Sequence, residues 1–325
     1  MKRRLVLQLG VSALAAPTLV WAQAQKQRRL GFLAMTDEKT IKPFFLDAFL
    51  AGMLDRGYAL GRNLRLEIRY VRGDMSRLPA LADELIALKP EVLLGIEPAV
   101  VALAKKTSTI PIVLVGSSDP VAAGLVKSLA RPGTNVTGMA HLYHDLVAKQ
   151  IELLTEIAPK ISRVALLTDL SLTRERYEHA AQAGATAKGL RLIKASVLDA
   201  EGVRHAFEQF KAERAEGVVV GASGAMVFLR HEVMKQARIA RVPAIYAQSE
   251  VVREGGLMSY GADLPWSYRQ DVPRFVDRIL KGENPANLPV QQTTKYELAI
   301  NMKAGRDIGL SVPKSILLRA DKVFE

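Results

Sequence analysis

The strongest constraint on the fold is a repeated alternation of short apolar segments and longer amphipathic ones. Segments such as 91–96 and 112–115 are strand-like runs of mostly apolar residues. Others, such as 41–56, place apolar residues including Phe49 and Met53 at helical spacing on one face. Apolar strands that alternate with helices indicate parallel sheets whose two faces are both covered.

This alternation occurs twice, with an interruption near residues 141–145. We predict an α/β fold in which 28–142 forms a first lobe and 143–264 forms a second. Each lobe contains a doubly wound, mainly parallel sheet, and a hinge joins the two so that their ligand-binding edges face each other. A helix within 265–289 is expected to return to the first lobe. The lobe against which 290–325 packs stays open.

The loop after strand 112–115 carries small polar residues where sheets of this class bind ligands. Ser117, Ser118 and Asp119 follow the strand directly. We interpret 120–130 as a short helix with Asp119 as its N-cap. Helix N-termini at the carboxyl edge of a parallel sheet offer free N–H groups to an anion. An ordinary connection between a strand and a helix is the alternative.

A second turn of the same design follows strand 91–96. Glu97 precedes Pro98, which is suited to the first turn of a helix that runs to Lys106. If the two strands are neighbours, both helix N-termini point towards one crevice. Capping alone would also explain the acid, because the helix dipole favours a carboxylate there by ~0.3–1 kcal/mol.

The amino terminus has the composition of a signal peptide. Residues 1–22 begin with basic residues and continue as an apolar stretch, with cleavage expected near Ala22 or Ala24. We therefore predict an exported, soluble, periplasmic protein. A membrane anchor is disfavoured because Gly10 and Pro17 interrupt a segment that is already short for a span. Secretion by the general or the twin-arginine pathway is left open.

Composition excludes several classes of function. The chain contains no cysteine, so it has no disulfide and no thiolate metal site. Its net charge is +12, yet the Lys and Arg residues are scattered and are not interleaved with aromatic residues. A solvated basic surface therefore explains the charge better than a nucleic-acid partner does.

Catalytic arrangements are weak. Residues 221–225 resemble a nucleophile elbow but lack its last glycine, and a serine N-cap at Ser223 is the simpler interpretation. His141 and His144 lie three residues apart, but no nearby acid completes a metal site, so a hinge or surface role is expected. We expect no enzyme activity, no cofactor and no metal.

Several long segments resemble one known family. Residues 118–138 read SDPVAAGLVKSLARPGTNVTG, residues 255–261 read GGLMSYG with Asp263 close behind, and the tail 279–321 contains LKGENPANLPVQQTTKYELAIN and LLRAD. These segments are similar to the periplasmic substrate-binding proteins of ABC importers, in the group that includes tryptophan- and tyrosine-binding members. With the amino-terminal segment, the resemblance covers the whole chain.

The resemblance implies a type I periplasmic binding fold in which the chain crosses between lobes three times. It implies hinge closure over a small solute, an amino acid being the expected class. It also implies an ABC permease in the inner membrane as the partner of a monomeric binding protein. The residues alone leave two alternatives open: a sensory module that feeds a membrane receptor, and an enzyme on the same fold.

The candidate ligand-binding residues share one property: most lie at predicted strand ends, and the others lie at the predicted crossings between lobes. They are Thr36, Glu97, Pro98, Ser117 and Ser118 in the first lobe, Asp169, Ser171, Ser223, Gln248 and Asp263 in the second, and Tyr143 and Tyr260 at the crossings. A few polar groups between two lobes that exclude water are typical of a ligand-binding crevice.

By resemblance, Ser117, Ser118 and the turn at Pro98 would hold the carboxylate of an amino acid, and Asp169 or Asp263 would pair with its ammonium group. The chain departs from the family pattern at two places. Glu97 stands where a threonine or serine is expected before the proline, and the segment 168–171 replaces an Asn-Pro motif. Because a further acid would repel a carboxylate, a cationic or neutral ligand is the rival interpretation.

Overall fold

The computed structural model describes residues 27–116, 119–170 and 174–325. Its strands are β1 (Arg28–Ala34), β2 (Leu64–Tyr70), β3 (Val92–Gly95), β4 (Ile112–Leu114), β5 (Val136–Ala140), β6 (Arg163–Asp169), β7 (Arg191–Val197), β8 (Gly217–Val220), β9 (Ala244–Tyr246), β10 (Met258–Ala262), β11 (Gln291–Gln292), β12 (Tyr296–Asn301) and β13 (Lys322–Phe324). Most of these strands are short and apolar, as the alternation predicts.

Helices connect most of the strands. They are α1 (Glu38–Ile41), α2 (Asp47–Leu54), α3 (Leu78–Ala87), α4 (Glu97–Lys106), α5 (Tyr143–Ile157), α6 (Arg174–Ala187), α7 (Ala200–Ala212), α8 (Gly224–Ala240), α9 (Ser249–Arg253), α10 (Leu264–Leu280), α11 (Met302–Asp307) and α12 (Lys314–Leu317). A π-helical turn, Lys42–Leu46, joins α1 to α2. Short 3-10 turns lie at Met75–Arg77 and Pro285–Asn287.

The strands form two sheets, which confirms the predicted α/β architecture of two mainly parallel lobes. The first sheet has six strands in the order β11-β5-β4-β3-β1-β2, and the second has seven in the order β13-β12-β10-β9-β8-β6-β7. Every pair in the first sheet is parallel. In the second sheet, β12 runs antiparallel to β10. We refer to the regions around these sheets as the first and second lobes.

Burial follows the position of each strand in its sheet. The central strands β3 and β4 are buried along their whole length, as expected for parallel strands with helices on both faces. The edge strand β2 is only partly buried, which matches its alternation of apolar and charged residues. The pattern of apolar residues in each of these strands therefore indicates how much of the strand contacts the core.

The chain passes between the sheets at three places. It leaves the first sheet between β5 and α5, where Leu142 adopts a left-handed conformation with φ 43°. It returns between β10 and α10, because α10 packs against α2 and over β3, β4 and β5. After β11 pairs with β5, the chain crosses again and adds β12 and β13 to the second sheet.

The short helix expected at 120–130 does not form, and that prediction is wrong. The segment is a series of turns in which the N–H groups of Leu125 and Val126 both donate to the Pro120 carbonyl. Gly124 has φ +68°, outside the helical region, and so ends the first turn. Both Leu125 and Val126 are buried in these turns.

Two smaller details complete the description. Asp74 caps the turn that leads into α3, since its Oδ1 atom accepts from the Ser76 N–H at 3.1 Å. In the tail, α12 and β13 follow α11. Over the described residues, none of the helices is both long and apolar enough to cross a membrane.

Candidate ligand-binding site

A cavity of about 130 Å³ lies between the two lobes. Its lining residues are Phe32, Met35, Thr36, Thr40, Ile41, Phe45, Ile96, Glu97, Pro98, Val115, Gly116 and His141 from the first lobe, Tyr143, Asp169, Ala222, Ser223, Gly224, Val227 and Gln248 from the second, and Leu264 and Tyr268 from α10. The volume is close to that of the roughly 150 Å³ apolar cavity that accepts benzene in another protein. The cavity therefore suits a small molecule with one ring.

Most of the polar residues that line the cavity lie at or just beyond the carboxyl ends of strands. In the first lobe, Thr36 lies just beyond β1, Glu97 opens α4 after β3, and His141 directly follows β5. In the second lobe, Asp169 ends β6 and Gln248 lies just beyond β9. The carboxyl edges of the two sheets therefore face one another across the cavity, in the position where open α/β sheets bind ligands.

Many of the residues selected from the sequence come together here. The residues that line the cavity are Thr36, Glu97, Pro98, Tyr143, Asp169, Ser223 and Gln248. Ser223 also has its simpler role, because its hydroxyl accepts from the Met226 N–H at 3.1 Å and caps α8. Ser117, Ser118 and Ser171 lie outside the described residues.

Tyr260 and Asp263 do not reach the cavity. The ring of Tyr260 stacks on that of Tyr296 at the second sheet, with centroids 6.2 Å apart. Asp263 caps α10 by accepting from the Trp266 N–H at 3.1 Å, and it pairs with Lys295 at 2.8 Å. The capping of α10 therefore explains why an acid occupies position 263.

Aromatic residues form one wall of the cavity, and the sequence analysis did not select them as ligand residues. Phe32 from β1 lies 4.8 Å from Phe45, and Phe45 meets the edge of Tyr268 from α10 at 5.0 Å, both measured between ring centroids. Phe45 belongs to the apolar face of the segment 41–56, which indicated only a core position for it. Packing of α10 over the first sheet brings them to one surface.

His141 is the most unusual polar group in the cavity. Its side chain is buried, and among the described residues neither ring nitrogen has a hydrogen-bond partner. Burial lowers its pKa from 6.5 to about 4, although the nearby Val115 carbonyl acts in the opposite direction. The imidazole is therefore neutral at neutral pH. His141 lies where the chain first crosses between the lobes, and its side chain is inside the cavity rather than on the surface.

The ring of His141 is held against the backbone of Gly116. A Cβ atom at position 116 would lie 2.6 Å from Cδ2 of His141, and Gly116 has φ +147°, which favours glycine. On its other side, the ring of Tyr143 lies 5.1 Å away between centroids. These neighbours fix the direction in which the imidazole presents its nitrogens.

Thr36, Tyr143 and Tyr268 add further uncharged polar groups to the lining. The hydroxyl of Thr36 is buried and has no hydrogen-bond partner among the described residues. Burial raises the pKa of the Tyr143 and Tyr268 hydroxyls, and a hydrogen bond with Gln248 offsets this only in part at Tyr143. Both tyrosines therefore keep their protons at neutral pH and can donate or accept hydrogen bonds.

The formal charges on the described lining residues are all negative. Glu97 and Asp169 approach the cavity from the first and second lobes respectively, and no Lys or Arg belongs to the described lining. Glu97 lies in the first turn of α4, where the helix dipole favours a carboxylate. Both carboxylates also interact with other groups of the protein.

Contacts outside the cavity hold the lobes together. The carboxylate of Asp119 in the first lobe pairs with the guanidinium of Arg176 on α6. A Cβ atom at Gly224, the first residue of α8, would lie 2.9 Å from Cδ1 of Ile96, so glycine permits this close approach. At the rim, the ring of Phe228 covers Gly73. The two lobes are thus in direct contact in this structure.

Solved structures with the same fold include two that match almost the whole chain. A conserved domain protein from Vibrio cholerae is 27% identical, with a TM-score of 0.85, over 92% of this chain and 100% of its own. An ABC domain from Streptococcus pneumonia in complex with L-Trp is 22% identical, with a TM-score of 0.84 and the same coverage.

Sequence comparison gives a consistent result. A tyrosine-binding protein from Clostridioides difficile is 22% identical over 280 residues, which is 86% of this chain and 80% of that protein. The family model described as ABC transporter substrate binding protein matches residues 45–324. Because this match spans most of the sequence, the chain belongs to the ABC transporter substrate binding protein family.

Proposed function

We propose that this chain is the periplasmic solute-binding protein of an ABC importer. It is exported by a signal peptide at residues 1–22, cleaved near Ala22 or Ala24, and acts as a monomer that delivers its solute to an ABC permease in the inner membrane. The observation that carries the proposal is the cavity between the carboxyl edges of two sheets, in a chain of the substrate-binding family.

The proposed solute has a small apolar or aromatic body and an amino group, the amino acids being the nearest class. Phe32, Phe45 and Tyr268 supply an apolar wall, and Asp169 supplies an acceptor for an ammonium group. The names of two similar proteins agree with this class, since one is called tyrosine-binding and the other was solved with L-Trp. Ser117, Ser118 and Ser171 stay candidate contacts under this proposal.

The proposed mechanism is closure of the two lobes on the solute. Binding at the facing sheet edges favours the arrangement in which Asp119 meets Arg176 and Gly224 meets Ile96. The closed shape is then the form that the permease recognises. In line with the family to which the chain belongs, the proposal assigns binding and transport to it, without catalysis.

A thermal-shift screen of the mature chain from Gln23 tests this proposal directly. The panel contains amino acids, aromatic amines, dipeptides, purines and small organic acids. A solute at 100 times its Kd stabilises the folded state by about 2.7 kcal/mol, so at least one compound should raise the Tm by several degrees. If no member of so broad a panel shifts the Tm, the binding function is contradicted.

The Asp169→Asn substitution tests whether the solute that raises the Tm binds in the cavity. We expect it to weaken binding of the identified solute at least tenfold, because the acceptor for its ammonium group is lost. Asp83→Asn is the matched control, since Asp83 is exposed and pairs with Lys106 on the surface. Equal affinities of the two variants would place the solute elsewhere.

Unchanged solute uptake in a strain lacking this protein would favour the sensory alternative.

A further inference from the structure

We infer that the solute is a ring with a hydrogen-bonding group at each end, and that Thr36 and His141 bind these two groups at opposite ends of the cavity. The juxtaposition that carries this inference is two buried, uncharged side chains without partners at the two ends of one largely apolar cavity. The inference rests on the proposed function and narrows the chemical class of its solute. The head of such a solute can be an ammonium group, a carboxylate or both.

Two polar side chains of the cavity lining are buried without a partner. Thr36 and His141 are 4% and 3% exposed, and Thr36 Oγ1 and both ring nitrogens of His141 have no hydrogen-bond partner within the described part of the chain. Leaving a buried polar group unpaired costs free energy, so such groups are normally hydrogen-bonded. A solute in the cavity that both side chains line can supply the hydrogen bonds.

Several other polar side chains of the lining already have partners in the protein. Ser223 caps α8, and Tyr143 shares a hydrogen bond with Gln248. Glu97 and Asp169 also interact with other groups of the chain. A solute therefore gains most from hydrogen bonds with the two unpartnered side chains.

The topology of the first sheet separates Thr36 from His141. Thr36 follows β1 and His141 follows β5, and β3 and β4 lie between these two strands. Because neighbouring strands are about 4.8 Å apart, three spacings separate the two strand ends by about 14 Å. The two side chains therefore lie at opposite ends of the cavity, and two different groups of the solute are needed to contact both.

The aromatic wall lies at the Thr36 end of the cavity. Phe32 belongs to β1, the strand that Thr36 follows, and its ring is 4.8 Å from that of Phe45 between centroids. A solute ring that packs against this wall brings its far substituent towards the Thr36 hydroxyl. Because a hydroxyl can donate and accept, it suits a ring hydroxyl as its partner.

The head of the solute then lies at the His141 end. The ion pair between Asp119 and Arg176 joins the loop after β4 to α6, so the region around β6 in the second lobe faces this part of the first sheet. Asp169, at the end of β6, lines the cavity as well. A neutral imidazole donates with one nitrogen and accepts with the other, so His141 can bind either kind of head.

Calorimetric titration of the mature chain tests the inference with pairs of compounds that share a head and differ only in a hydroxyl at the far end of the ring. The pairs are L-tyrosine and L-phenylalanine, tyramine and 2-phenylethylamine, and 4-hydroxyphenylacetate and phenylacetate. In every pair that binds, we expect the hydroxylated member to bind ten times or more tighter, because its partner leaves the Thr36 hydroxyl buried and unpaired. An unsubstituted compound that binds as tightly as its hydroxylated partner, or tighter, overturns the inference.

The Thr36→Val substitution assigns this preference to its proposed source. It should reduce the ratio of the two affinities within a pair at least fivefold, because the side chain keeps its shape and loses only the hydroxyl. Thr186→Val, the same substitution at an exposed position on α6, is the control. An unchanged ratio in Thr36→Val contradicts the role of Thr36, and if that variant does not fold, the wild-type ratio alone decides.

The His141→Phe substitution tests the other end of the cavity. It should weaken binding of both members of a pair at least fivefold and leave their ratio unchanged, because it removes hydrogen bonds to the shared head and keeps an aromatic ring. His205→Phe, at an exposed position on α7, is the control.

NMR of the histidine ring nitrogens gives a readout that a purely structural role of His141 would not produce. The signal that is missing from the spectrum of His141→Phe belongs to His141, and it should shift when the tightest-binding compound of the pairs saturates the wild type. Binding without that shift contradicts the role of His141. If His141→Phe does not fold, the response of the histidine signals of the wild type, compared with those of His205→Phe, decides.

Failure of the inference can be separated from failure of the proposed function. If none of the three pairs binds while another compound of the thermal-shift panel raises the Tm, the inference is refuted and the solute-binding function stands. If nothing binds, both are refuted.

Discussion

His141 illustrates how the environment of a residue changes its chemistry. A histidine on the surface would exchange protons near neutral pH, but burial in the cavity lowers the pKa of His141 from 6.5 to about 4. Gly116 makes room for the ring, because any side chain at position 116 would collide with it. A neutral, oriented imidazole results, and it can exchange hydrogen bonds with a ligand without contributing charge.

The lowered pKa predicts how stability depends on pH. The unfolded chain gains a proton at position 141 as the pH falls below 6.5, whereas the folded chain does so only near 4. The contribution of the neutral ring is therefore complete above pH 6.5 and is lost as the pH falls towards 4. Between pH 7 and pH 5, this costs about 2 kcal/mol of unfolding free energy.

Urea unfolding at both pH values of the wild type and of His141→Asn measures this effect. The wild type should lose about 2 kcal/mol more than the variant over that interval. His205→Asn, the same substitution at an exposed position on α7, is the control. If His141→Asn keeps the full wild-type loss, another group is responsible.

At the scale of elements, the contact between α2 and α10 fixes the aromatic wall. Gly52 on α2 faces the backbone carbonyl of Arg269 on α10, and a Cβ atom there would overlap with it and approach Pro273 at 2.7 Å. The close approach of the two helices brings Tyr268 from α10 against Phe45. A single glycine thus determines how α10 closes the cavity.

The Gly52→Ala substitution is expected to destabilise the protein. Because the added methyl group meets backbone rather than a mobile side chain, the helices must separate, at a cost of about 1–3 kcal/mol. Gly202→Ala in α7 is the matched control, since its nearest neighbours would be at ordinary contact distance. Thermal unfolding of both variants compares them directly. A Gly52→Ala variant as stable as Gly202→Ala would contradict this packing argument.

At the scale of the whole molecule, the two lobes are linked by their chain crossings and by the contacts between their rims. The ion pair between Asp119 and Arg176 connects the loop after β4 to the start of α6, and each belongs to a different lobe. Such a pair exists only while the lobes are together. Under the proposed closure, we expect it to contribute to solute affinity without touching the solute.

The Arg176→Gln substitution should weaken solute binding by up to about fivefold, because partly exposed ion pairs contribute about 0.2–1 kcal/mol. The difference from wild type should shrink at high salt, which screens the pair. Arg191→Gln removes an ion pair with Glu213 that does not bridge the lobes and serves as the control. Calorimetry at low and high salt, with the solute from the thermal screen, gives both results. Loss of affinity in the control to the same degree would exclude a lobe-specific effect.

Sequence patterns by themselves determined the two series of strands and helices, and with them the edges that face the cavity. Strands such as β3 and β4 can be recognised in the sequence because a strand that is buried on both faces is a short, continuous run of apolar residues. Once strands are placed, their carboxyl ends locate residues such as Thr36, Glu97 and Asp169 at one edge of each sheet. These conclusions depend on periodicity and chain direction, which are local properties.

Only the tertiary structure decided which side chains complete the site. Phe45 and Tyr268 lie far apart in the sequence, and the helical spacing of Phe45 indicated a core position without indicating that part of that core is a cavity. Asp263 is an acid just after a strand, as expected of a site residue, but it caps α10 and pairs with Lys295. Turns replace a helix at 120–130, where the Leu129 carbonyl accepts from the Val290 N–H. Contacts between residues far apart in the chain settle each of these points, and no local pattern records them.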